Sequence, residues 1–137
     1  MKFTVGLVGG AVAVLRWAGL DRVEVVGESM APTLLPGDRL LVARTRRVRA
    51  GDLVVVADPR VGDRDLVKRV VWAGAGSGGR PVVWVEGDNP GASTDSRTFG
   101  PVPRDRVRQK VVWRYGPPAR AGRVAPGGRA RVGARRS

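Results

Sequence analysis

Apolar residues fall in short runs between turn-forming residues, at positions 23–26, 40–43, 53–57, 66–72, 82–85 and 107–113. The runs are built largely of valine, which occurs 25 times in the chain while isoleucine never does. Short β-branched runs bounded by Gly, Pro and Asp predict strands rather than helices, because branched side chains pack well on a pleated surface. The separators agree: Pro36-Gly37-Asp38, Ala50-Gly51-Asp52, the glycine-rich stretch 74–80 and residues 87–91 are turn chemistry. Six short strands predict a mainly β fold, a closed or folded-over sheet. No internal repeat and no helix-length amphipathic stretch follows residue 22.

The two ends read differently. Residues 3–15 are uncharged and apolar, preceded by Lys2 and closed by Arg16 and Trp17. A bilayer takes about 20 residues to cross, so this run spans only if residues 17–20 are recruited and Arg16 snorkels. Segment 1–22 is read as a membrane anchor, with a cleaved signal peptide and a buried helix as competing readings. Its three glycines, Gly6, Gly9 and Gly10, disfavour a helix in water and are tolerated in membranes. Residues 117–137 hold six arginines, no acid and no apolar period, and are read as a flexible basic tail. The body between them, 23–116, is the expected folded domain.

Charge and missing residue types narrow the chemistry. The 137 residues carry a formal net charge of +13, with no Cys and no His. Disulfides, thiolate nucleophiles, imidazole bases and Cys/His metal sites are therefore excluded. Lysine is scarce, at Lys2, Lys68 and Lys110 only, and serine occurs five times. One serine lies in Gly27-Glu28-Ser29-Met30-Ala31-Pro32-Thr33, directly after a strand-like run, where Gly turns the backbone and Pro stops strand or helix. Without histidine, a base for that hydroxyl would be a lysine or a carboxylate. Lys68 is the foremost candidate, since strand alternation places it on one face with Leu66, Val70 and Trp72. Burial there would disfavour the ammonium form and tune it toward a general base. Taken singly, a turn serine and a strand lysine are ordinary, and these residues alone leave the question open.

Five blocks in order, GESMAPTL, PGDRLLV, RAGDLVVV, LVKRVV and EGDNPGASTDSRTFGPV, resemble the type I signal peptidase family of membrane serine proteases with a Ser-Lys dyad. The resemblance covers residues 23–115 and implies a compact, signal-peptidase-like β catalytic domain that needs no cofactor or metal. It implies Ser29 as nucleophile within the block that also holds Met30 and Pro32, and Lys68 as general base. Gly87, Asp88 and Asn89 match the Gly-Asp-Asn signature, Ser93 the serine that orients the lysine, and Asp95 with Arg97 a supporting ion pair. It further implies precursor proteins as substrates, cut after small residues, and an extracytoplasmic, membrane-associated catalytic domain, with a cytoplasmic location as the alternative. Gly27 departs from the pattern, standing where many members place a hydroxyl that supplies the second oxyanion donor. The 18 residues between Lys68 and Gly87 leave no room for the extra domain of large members. Two other readings stay open: removal of the leader of a nickel superoxide dismutase, and a non-enzymatic basic β-barrel binding nucleic acid through residues 44–49 and the tail. Asp88 and Asp95 as a metal pair lack further ligands and have Arg97 adjacent.

Overall fold

Strand Leu53–Ala57 (β3) is buried at all five positions, because it lies mid-sheet with an apolar cluster on each face. The computed structural model describes residues 19–124. Within them, β1 (Leu20–Glu24), β2 (Arg39–Arg44), β3, β4 (Asp65–Ala75), β5 (Pro81–Glu86), β6 (Val102–Pro103) and β7 (Val107–Gly116) form one antiparallel sheet. The spatial order is β1-β2-β7-β3-β4-β5-β6. Leu53 and Val55 join Val25, Met30, Leu34, Leu40 and Val42 in one cluster, whereas Val54 and Val56 join Val70, Val83, Val85, Val102 and Val107 in the other. Strict alternation along β3 thus feeds both cores. The mainly β expectation holds.

The edges of the predicted strands moved in two places. The first strand runs Leu20–Glu24 rather than 23–26: Val25, still hydrogen-bonded to Asp38 and Gly37, packs in the core just past its end, and Val26 is exposed. In β4, Val70 pairs with Val85 but Trp72 pairs with Trp84, so Val71 is an extra, bulged residue. Leu66, Lys68 and Val70 share a face as expected, opposite Val56, Val54 and Val85. Trp72 does not join them: the bulge turns it to the far face, 41% exposed and stacked on Trp84 with ring centroids 6.3 Å apart.

The chain remains attached to the body past residue 116. Pro118–Arg120 forms one turn, Gly122 exchanges backbone hydrogen bonds with Arg114, and Val124 packs on the first cluster. Residues 125–137 of the expected tail and 1–18 of the expected anchor lie outside the described residues. Among the described residues, no helix is long and apolar enough to cross a membrane.

Candidate active site

Two strand edges leave an opening. β4 pairs with β3 through Arg69, but with β5 only from Arg69 onward, so, among the described residues, 65–68 have no strand partner on their β5 side. β1 is the terminal strand of the sheet, and its outer edge is likewise unpaired among the described residues. Residues 23–30 and 65–68, with Val55, Arg60, Arg64, Ala92 and Thr94, line a cleft of about 530 Å³ between them. Ser29 and Lys68 both line it.

The loop carrying Ser29 is fastened along its length. Met30 is buried in the core and Leu34 N–H donates to its carbonyl at 2.9 Å. Pro32, after a cis peptide bond with Ala31, is exposed. The Ser29 carbonyl accepts from Asn89 N–H at 2.9 Å, and the Asn89 amide donates to the Glu28 carbonyl at 3.1 Å. Asp88 N–H reaches the Met30 sulfur at 3.4 Å. Gly87 explains why a glycine precedes these residues: a Cβ there would lie 2.5 Å from the Ser29 carbonyl oxygen and 2.6 Å from Ser93 Cβ, closer than atoms tolerate.

Lys68 sits at 3% exposure and donates from Nζ to Ser93 Oγ at 3.1 Å. Ser93 in turn donates to Asp95 Oδ2 at 2.5 Å. That carboxylate, fully buried, also accepts from Gly87 N–H at 2.8 Å and from Arg97 through Nη2 at 2.6 Å and Nε at 3.0 Å. It caps the one-turn helix α1 (Ser96–Phe99) by accepting from Arg97 N–H. A line Lys68–Ser93–Asp95–Arg97 therefore runs from cleft to surface. Burial lowers the Lys68 pKa; the Asp95 charge pushes it back up and the Arg97 and Arg64 charges push it down again. For Asp95, burial opposes ionisation, but the bonds from Arg97, Ser93 and Gly87 outweigh it and hold the carboxyl well below the usual range.

Asp88 and Asp95 are each taken up by an arginine. Arg69 grips Asp88 in a two-pronged ion pair at 3.1 and 2.8 Å, buried on both sides, and Arg97 grips Asp95. Arg69 is a residue the sequence reading gave no role, although a second charge inside an apolar run was a visible signal. A further network was missed. Asp38, 1% exposed, receives Leu35 N–H at 2.9 Å, Arg120 at 2.8 and 2.9 Å and Arg114 at 3.3 Å. Arg114 and Arg120 also donate to the Thr33 carbonyl, and the Thr33 hydroxyl donates to Asp88. These contacts hold the Ser29 loop from behind.

Among known proteins, residues 1–77 match the family described as signal peptidase, peptidase S26. The chain is 36% identical over 121 residues to mitochondrial ATP-independent inner membrane protease subunit 1a of Arabidopsis thaliana, covering 72% of each protein. It is 33% identical over 110 residues to mitochondrial inner membrane protease subunit 1 of Schizosaccharomyces pombe, covering 66% of this chain and 70% of that one. Subunit 1 of Xenopus tropicalis is 31% identical over 143 residues, with 83% of each covered. A family match over more than half the chain, reaching through both Ser29 and Lys68, places this protein in the signal peptidase family, peptidase S26, as a peptidase.

Proposed function

We infer that the protein is a serine endopeptidase that removes signal or leader peptides from precursor proteins with a Ser29 and Lys68 dyad. The observation that carries this reading is a buried lysine, held by Ser93 and poised toward its neutral form, lining the same cleft as a half-buried serine on a fastened loop. Neutral Lys68 takes the Ser29 proton as Oγ attacks the scissile carbonyl. The oxyanion is held by backbone N–H groups, that of Ser29 first among them, and Lys68 returns its proton to the leaving amine. Water, deprotonated by the same lysine, then releases the acyl group. Ser93 fixes the lysine rotamer, Asp95 and Arg97 anchor Ser93, and Gly87, Asp88 and Asn89 fix the loop.

The unpaired edges of β1 and residues 65–68 suit an extended peptide lying between them as an added strand, its backbone satisfying theirs. Small residues, typically Ala, are expected at the first and third positions before the cut. The relatives named as inner membrane proteases support membrane association; in this reading residues 1–22 are the anchor and 23–116 the catalytic domain, held on the extracytoplasmic side. The test is cleavage of secretory precursors and a leader-bearing dismutase precursor by the full chain. Wild type is expected to cut after a small residue, while Ser29→Ala and Lys68→Arg are inactive but folded. Arginine keeps the charge and cannot deprotonate near neutral pH, so an active Lys68→Arg enzyme overturns the general-base role.

A further inference from the structure

The sheet's outer surface carries a second depression that the peptidase reading leaves unused. Arg46, Arg47 and Arg49 from the β2–β3 loop and Arg104 line a groove of about 510 Å³ against an apolar floor that includes Val48 and Val82. No Asp or Glu lines it. Arg60, Arg69, Arg97, Arg108, Arg114 and Arg120 each meet a carboxylate, whereas among the described residues several arginines scattered outside the groove, Arg44 and Arg80 included, do not; the groove differs in gathering four arginines into one depression. Among the described residues, none of the four groove guanidinium groups meets a carboxylate.

The loop is built rather than loose. Thr45 Oγ1 donates to the Arg47 carbonyl at 2.6 Å and accepts Arg47 N–H at 3.1 Å. Arg49 N–H donates to Asp52 at 2.9 Å, and Arg104 reaches the Thr45 carbonyl at 3.3 Å. Val48 between the arginines packs against the second core cluster. Like charges held together by a hydrogen-bonded loop repel one another unless an anion sits among them.

Position favours one anion over others. Ala43, which precedes the loop, pairs with Leu20, so the loop leaves β2 beside the residue where the chain enters β1 from the apolar run 3–15. Among the described residues, the groove lining contains no aromatic on which a base could stack. We propose that this groove binds the phosphate headgroups of anionic phospholipids, holding the catalytic sheet against the membrane surface beside the start of β1. The site is separate from the Ser29 and Lys68 cleft and shares no residue with it.

The experiment is flotation of the full chain with vesicles of phosphatidylcholine alone or with 30 mol% phosphatidylglycerol, in low and high salt. The comparison is wild type against Arg46→Ser/Arg47→Ser/Arg49→Ser, each single substitution, and the triple lysine variant. Each loop arginine near an anionic surface is expected to strengthen binding by about fivefold, so the triple serine variant loses tenfold or more of the phosphatidylglycerol preference. Partition into phosphatidylcholine stays unchanged, the lysine variant retains most of the preference, and high salt removes it. The terminal arginines are the same in every protein, so the difference reports on the loop alone. Peptide cleavage in detergent is expected to be equal in all variants, which keeps this result apart from the dyad reading. A serine variant that keeps the preference within twofold overturns the proposal. So does inorganic phosphate that displaces the vesicles more effectively than chloride at equal ionic strength, which would mark a free-phosphate site, or an oligonucleotide that binds the groove in preference to the vesicles.

Discussion

The two members of the Asp95–Arg97 ion pair pull Lys68, the proposed base, in opposite directions, which gives a test with a sign in it. Asp95 raises the Lys68 pKa and Arg97 lowers it, both acting on an ammonium whose desolvation is the leading influence. Asp95→Asn preserves shape and the acceptor for Gly87 N–H, but removes one negative charge two hydrogen bonds from Nζ. Unit charges about 5 Å apart interact by about 3 kcal/mol at an effective dielectric near 20 and by under 1 kcal/mol in water. The lost interaction lies between those limits, enough to displace the alkaline-rising limb of the rate visibly toward lower pH. Arg97→Ala removes a positive charge and leaves Asp95 to act undiminished, so its limb moves toward higher pH. Both variants lose rate by about 10- to 100-fold, because Ser93 and through it the lysine rotamer lose support. The assay is kcat/KM on one peptide from pH 6 to 11 for the three proteins. Limbs that move in the same direction, or an Asp95→Asn limb that moves alkaline, refute the electrostatic role assigned to the pair.

Gly87→Ala should cost about 1 to 3 kcal/mol of stability and most of the activity, since its methyl group meets the Ser29 carbonyl and Ser93 at once; denaturant unfolding and peptide cleavage check both. Lys68→Met should raise the melting temperature while abolishing cleavage. Because the folded state holds Lys68 with a lowered pKa, the unfolded chain binds more protons between the folded and unfolded pKa values, and wild-type stability rises with pH across that window. The methionine variant's advantage is thus largest at low pH and shrinks as pH approaches the unfolded lysine value; an advantage that grows with pH contradicts the depressed lysine. Arg120→Ala should destabilise by about 1 to 2 kcal/mol, discounted for its part exposure and for Arg114 remaining on Asp38, as read by thermal melting.

What could be read from the sequence was what depends on near neighbours. Valine runs located β2 through β5 and β7, and alternation placed Lys68 against Val70 because no irregularity separates them. The same counting failed two residues later, where one bulged residue at Val71 reverses every following side chain and sends Trp72 outward. β6 escaped notice since Val102 and Pro103, two residues with Pro101 before them, carry no periodic signal. The block 87–97 was legible by resemblance, and its internal hydrogen bonds span only a few residues. The Asp38 network was not legible: Asp38 reads as an ordinary Pro-Gly-Asp turn, and its partners Arg114 and Arg120 lie 76 and 82 residues away. Nothing local marks which arginines of an arginine-rich chain will be drawn inward.

That network also orders events during synthesis. Ser29 is made early, yet the loop behind it is closed by Asn89, Arg114 and Arg120. The emerging chain holds Ser29 long before it holds the bonds that position it. Full assembly of the cleft waits until translation has passed residue 120, so the proposed site is expected to mature late in folding. A ribosome-bound chain that stops short of that point carries Ser29 and Lys68 without the Arg120 clamp. Acquisition of activity by nascent chains of increasing length should therefore lag behind acquisition of the sheet.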